Sequence, residues 1–215
     1  MLNWHHIHLE HFGEQMIKHI IGLFKNPVTE WQKIYEESCS NIFCYFQVVI
    51  ILAAIPAISG FIGTTQIGWQ IGAGPVMKLE VTNALTISIM YYFVMLVGVM
   101  SMSGSIYWMA KTYGAEQIRF SNCVALASYT PLPLFIVGIM ELYPVLWLNF
   151  IIGLPALAYT VFLLYTGVPI MMNVSKERGF LFSSAVLAFG LTVFVGMLAI
   201  TAILWGMGFA PAFTQ

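Results

Sequence analysis

The sequence predicts an all-α, polytopic membrane protein with five transmembrane helices and an amphipathic N-terminal arm. Three observations predict it. Of 215 residues, 60% are hydrophobic and 8% charged, with a mean hydropathy of +0.85, whereas a soluble domain carries about a quarter charged residues. The apolar residues gather into five continuous runs, each long enough for the roughly 20-residue helix that crosses a hydrocarbon core about 30 Å thick. The cations fall between alternate runs, as they do when a chain is threaded back and forth through a bilayer. A surface this poor in charge excludes a soluble enzyme and a disordered chain, and a net charge of −1 excludes nucleic acid as a partner.

The arm comes first, over residues 1–40. Leu9, Phe12, Met16, Ile17, Ile20, Ile21, Leu23 and Phe24 fall on one half of a helical wheel. Glu10, His11, Glu14, Gln15, Lys18, His19 and Lys25 fall mostly on the other. Such a helix suits the headgroup plane or the cytoplasmic face of a bundle. Asn26-Pro27 reads as an N-cap followed by proline at the first helical position, with Glu30 in the first turn. A second short helix carrying Trp31, Ile34 and Tyr35 then leads into the membrane.

The spans follow at about Asn41–Gly63, Asn83–Ala110, Phe120–Met140, Val145–Met172 and Phe180–Gly206. None holds a Lys, Arg or His. Continuous runs, rather than alternating ones, favour helices over barrel strands. The transmembrane domain is therefore expected over residues 41–206, with a short external tail at 207–215. Lys18, Lys25, Lys33, Lys111, Arg119, Lys176 and Arg178 stand on one side and Lys78 alone on the other. The positive-inside bias puts the N-terminus in the cytoplasm and the C-terminus outside. The start lacks the cationic and apolar regions of a cleavable signal, so the first span is expected to stay as an anchor. The loop carrying Gly68 and Gly74 reads as a turn-rich external segment.

Cys39, Cys44 and Cys123 are odd in number and lie in or beside apolar runs, which implies no disulfide framework. Small residues four apart, as in Ala53-xxx-Ala57, Pro56-xxx-Gly60, Ser101-xxx-Ser105 and Ala156-xxx-Thr160, mark faces where backbones approach closely. The six tryptophans fall at expected span ends or in the arm, as an aromatic belt would.

Candidate sites are few. His8 and His11, at i and i+3 beside Glu10 and Glu14, could ligate a metal on one helix face, although no further ligand-rich segment completes a closed site. Catalysis has little to work with. The chain has no Asp for an intramembrane aspartyl protease, and every His lies in the arm, away from the membrane serines. No P-loop or dinucleotide fingerprint appears, and no cofactor is implied. Glu141 is the one acid near a span; the Tyr143-Pro144 pair after it places it at the outer end of span three, as a solvated boundary residue. Pro131 and Pro133 interrupt span three near its middle. Each removes a helix hydrogen bond and frees a carbonyl that must be satisfied within the bundle or in a wet cavity. Broken helices of this kind build substrate sites in some carriers, so Tyr129, Thr130, Pro131 and Pro133 are the candidate ligand or kink site.

The blocks that punctuate the chain resemble a known family. They are Leu23-Phe24 with Pro27 and Trp31-x-x-Ile34, then Ala53-Ala54-Ile55-Pro56 through Phe61-Ile62-Gly63-Thr64-Thr65-Gln66-Ile67-Gly68-Trp69. Trp108-Met109-Ala110, Leu142-Tyr143-Pro144, Tyr159 with Leu163-Leu164-Tyr165-x-Gly167-Val168-Pro169, and Ile203-Leu204-Trp205-Gly206 follow. Together they resemble the Yip-one domain family of Ypt/Rab-interacting proteins, and most of all its bacterial inner-membrane branch. The likeness runs from about residue 20 onward and leaves out the histidine-bearing start. It implies a five-span fold in the bacterial inner membrane and names no catalytic residue. Eukaryotic members bind prenylated GTPases and each other in membrane traffic; the short arm here implies no such partner. The residues thus point to a non-catalytic membrane component whose partner is membrane lipid or another membrane protein. The alternative is a small channel or transporter using the broken third span, which nearly requires a homo-oligomer because five spans leave little room for a pore.

Overall fold

The computed structural model describes residues 2–37, 42–69, 76–115, 118–207 and 213–214, with side chains from Gly13 onward except at 204, 205, 213 and 214. Two helices precede the bundle. α1 runs Leu2–Lys25 and α2 runs Pro27–Glu37. Asn26 breaks them: its side-chain oxygen accepts a 3.5 Å hydrogen bond from the Thr29 amide, and proline starts α2 where a missing N–H costs nothing.

Five helical spans cover Ile42–Ile67, Val81–Ala110, Phe120–Leu142, Leu146–Met171 and Lys176–Ile203. These lie within a few residues of the apolar runs. Two spans are segmented. Span one divides into α3 (Ile42–Leu52), α4 (Ala54–Ile62) and a π-turn at Gly63–Ile67. The Pro56 ring crowds the carbonyl four residues back, at Leu52, which is where α3 ends. In the π-turn the hydroxyls of Thr64 and Thr65 donate to the Gly60 and Phe61 carbonyls, each at 2.7 Å. Span two is α5 (Val81–Ala110). Span three divides into α6 (Phe120–Tyr129), α7 (Leu132–Val137) and a 3-10 turn at Gly138–Leu142. Span four is α8 (Leu146–Met171), which carries Pro155 and Pro169 without interruption. Span five lies in α9 (Lys176–Gly206).

Span three is the centre. Every residue of α6 from Ser121 to Tyr129 is buried, packed by α3, α5 and α8. By contrast α5, α8 and α9 turn broad apolar faces outward, with Phe93, Val97, Phe150, Leu154, Phe194 and Leu198 all more than half exposed. Those faces fit a lipid environment and would be untenable in water. Spans one and three meet most closely through small residues. A Cβ on Gly138 would lie 2.6 Å from Pro56, and one on Gly63 would overlap the Glu141 carbonyl oxygen.

At the end opposite most of the cations, Trp69 bridges Met77, and strand β1 (Lys78–Leu79) pairs antiparallel with β2 (Phe213–Thr214). The C-terminal segment is thereby tied to the loop between spans one and two. Cys44 is disulfide-bonded, and Cys123 is free and buried. The cysteine count alone implies no such bond; the correction is that an odd total leaves room for one bridge and one free thiol.

Candidate functional site

Among the described residues, three polar places in the bundle bear on function. The first is a cavity of about 490 Å³ at the cation-rich end, lined by Tyr35, Gly114, Met172, Asn173, Val174, Ser175 and Arg178. It is built from α2, the α5–α6 connection, the α8–α9 connection and the first turn of α9. The connections bend sharply: Gly114 has φ +81° and Asn173 has φ +50°, conformations that favour glycine and asparagine. Ser175 starts α9, its carbonyl accepting from Gly179 N–H at 2.8 Å and its hydroxyl from Arg178 N–H at 3.4 Å. The Arg178 guanidinium lies over Gly114, where any Cβ would overlap Nη1. A guanidinium in the lining of a polar cavity offers a planar fork of donors to a phosphate or carboxylate.

The second is the break in span three. Pro131 caps α7 and Pro133 lies in its first turn, where their missing N–H groups are tolerated. Phe135 and Leu134 bond back to the Pro131 carbonyl at 3.1 and 3.0 Å, so the chain restarts at once. Tyr129 is 3% exposed and packs edge-on against three rings: His19 at 5.9 Å, Tyr45 at 6.4 Å and Trp31 at 6.5 Å. The hydroxyls of Ser128 and Thr130 and the indole Nε1 of Trp31 are buried without a hydrogen-bond partner among the described residues.

The ring group leads to a polar network whose centre, His19 and Glu30, is buried and whose outer members, Lys33 and Glu37, are exposed. His19 Nδ1 lies 2.7 Å from Glu30 and Nε2 lies 2.9 Å from Glu37, while Lys33 reaches the other Glu30 oxygen at 3.0 Å. Sequence reasoning misses this network. The helical wheel puts His19 on a polar face and the tryptophan spacing puts Trp31 in an aromatic belt, yet His19 is 7% exposed and Trp31 is fully buried. Gly22 is the available signal: a Cβ there would overlap the Glu30 carboxylate, so a side chain at 22 would displace Glu30 from its place beside His19.

The third is Glu141, at the far end of span three. Tyr91 donates its hydroxyl to Oε1 at 3.3 Å, and Oε2 sits 2.7 Å from where a Cβ on Gly60 would be. Twelve residues, or about 18 Å of helix, separate Glu141 from Tyr129. The candidate residues of span three therefore fall into two places. Tyr129, Thr130, Pro131 and Pro133 share the break, and Glu141 stands apart. The side chains of His8 and His11 lie outside the described residues. Among the described residues, no three His, Cys, Asp or Glu side chains are grouped to hold a metal ion.

A chain of five apolar spans, four of them around a buried, broken third one, is a multi-pass membrane protein. More narrowly, the chain belongs to the Yip1 domain family, whose model matches residues 21–211. It is 43% identical over 193 residues to the inner membrane protein YohC of Escherichia coli K12, covering 90% of this chain and 98% of that one. The same protein of Escherichia coli O6:H1 strain CFT073 matches equally. No solved structure matches the chain.

Proposed function

We propose that this protein is a non-catalytic component of the inner membrane that binds anionic phospholipid at its cation-rich end. One observation carries the reading: the polar cavity with Arg178 in its lining. Its walls include the α5–α6 connection, which also holds Lys111 and Arg119, and the first turn of α9, which begins at Lys176. Arg is suited to a phosphate diester because its fork donates two parallel hydrogen bonds. Each further cation near a membrane surface adds about 1 kcal/mol of attraction for anionic headgroups. Beside the cavity, the outward faces of α5, α8 and α9 supply the apolar surface that acyl chains need. In this reading the cavity faces the cytoplasm, as the positive-inside bias requires, and the C-terminus lies outside.

Native mass spectrometry of the protein released gently from its own membrane tests the reading. Wild type should carry an anionic phospholipid, and Arg178→Gln should carry several-fold less. A stoichiometric protein partner in place of lipid, or lipid retention unchanged by Arg178→Gln, would overturn it.

A second reading is a small oligomeric channel or transporter. The observation favouring it is the pair of unpartnered hydroxyls, Ser128 and Thr130, at the break in span three. It requires a symmetric oligomer in the same spectrum and solute flux in liposomes.

A further inference from the structure

We infer that the corner between α1 and α2 enters the membrane as a re-entrant hairpin, with acyl chains as the partner of its outer face. The depth follows from what the corner touches. Tyr159 is the fourteenth residue of α8, a span of 26 residues, which places it about 18 Å of helix from the Met171 end. Its hydroxyl donates to the Leu23 carbonyl at 2.8 Å, and its ring stacks on Phe24 at 5.4 Å with planes 3° apart. The end of α1 is thus level with the middle of a membrane span.

α2 then climbs back along α8. Trp31 packs against Gly167, where a Cβ would lie 2.7 Å from the indole. One turn later Tyr35 lines the cavity with Met172 and Asn173. The eleven residues of α2 rise about 16 Å, which is close to half of a hydrocarbon core about 30 Å thick.

The surface chemistry agrees with that depth. Ile17, Ile21 and Phe24 on α1, with Val28 after the corner, form an outward apolar stripe, each 45–53% exposed. Two titratable groups near the corner turn inward: His19 and Glu30 are buried against each other. The exposed Glu14–Lys18 pair lies further back along α1, with Lys18 one residue and Glu14 five residues before His19. Lys25 and Asn26 are exposed at the corner itself. They and the exposed Thr29, Gln32 and Lys33 of α2 are what this placement costs, and the two lysines meet the cost by snorkelling along their own stems.

The test uses the full-length protein in liposomes with one added cysteine at a time, read against the protein without one. Ile21→Cys and Val28→Cys should react with an aqueous maleimide at least about tenfold more slowly than Asn173→Cys at the cation-rich end, because water is scarce at that depth. A fluorophore attached to the thiol of the Ile21→Cys variant before reconstitution should be quenched more by a nitroxide on the acyl chain than by one on the headgroup. Lys25→Leu should leave that protection intact or deepen it. Labelling of both stripe positions at the rate of Asn173→Cys, or stronger quenching from the headgroup, would place the arm at the surface and overturn the inference. Protection from both water and lipid quencher would show a protein face, such as a second copy, and overturn it equally. Two stripe positions keep the test decisive if either variant fails to fold.

Discussion

His19 and Glu30 meet at 2.7 Å across the α1–α2 corner, their side chains 9% and 7% exposed. The other imidazole nitrogen meets Glu37 at 2.9 Å, so one ring of α1 ties the first and last turns of α2 together. A buried ion pair is a weak source of net stability, but removing one partner strands the other. His19→Ala leaves Glu30 with Lys33 alone, and should cost about 2–3 kcal/mol, at or below the lower end for a broken buried pair. Adding Glu30→Gln should recover part of the loss, since an amide needs no counter-charge. Chemical unfolding in detergent across the four proteins measures the coupling, and strictly additive losses would show that the pair does not act as one.

Tyr159 holds the same corner by a different bond. Tyr159→Phe keeps the ring stack on Phe24 but leaves the Leu23 carbonyl without its donor. The expected cost is about 1 kcal/mol. It should appear as faster amide exchange around residues 20–27, with exchange in α6 unchanged. If exchange at the corner does not move, the hydroxyl is not what fastens it.

Much of this fold is legible in the residues because a bilayer imposes a simple rule: a span must be apolar and about 20 residues long. The five runs therefore mark five helices to within a few residues. The amphipathic arm is legible as a helix but not as a position. Periodicity reports which face of a helix is apolar, and says nothing of whether lipid or protein covers it. For that reason His19 reads as a solvated polar residue and Trp31 as a belt residue, when both are buried against the bundle. The cavity has no sequence signature, since Tyr35, Gly114 and Arg178 come from three places far apart in the chain. Glu141 reads as a solvated boundary residue; its contacts with Tyr91 and Gly60 come from two other spans and leave no local pattern.

The crossing of spans one and three makes a sharp prediction. At Gly63 an added Cβ would overlap the Glu141 carbonyl oxygen, a backbone atom that cannot rotate away. Gly63→Ala must push the spans apart, and overpacking of this kind costs typically about 1–3 kcal/mol. Gly153→Ala is the matched control, because nothing lies within 4 Å of its Cβ position. The melting temperature in detergent should fall for Gly63→Ala and hold or rise for Gly153→Ala. Equal melting temperatures would mean that the two spans do not cross at this point.

The break in span three decides between a packed core and a water-filled path. Ser128 is fully buried and Thr130 is 9% exposed, and the Tyr129 between them is enclosed by His19, Trp31 and Tyr45. If the break is a packing kink, cysteines placed at 128 and 130 resist membrane-impermeant thiol reagents in intact liposomes. Cys123, which is free and buried, sets the background for that resistance, and Asn173→Cys sets the rate at an exposed site. If the break lines a pore, both positions label from the aqueous phase, and a permeant solute slows the labelling by competing for the same space. The lipid-binding reading requires protection at both positions, because a dry third span is what lets the headgroup cavity at the cation-rich end act alone. Labelling at 128 and 130 that a solute slows would shift the function to transport, with the two unpartnered hydroxyls as its first polar contacts.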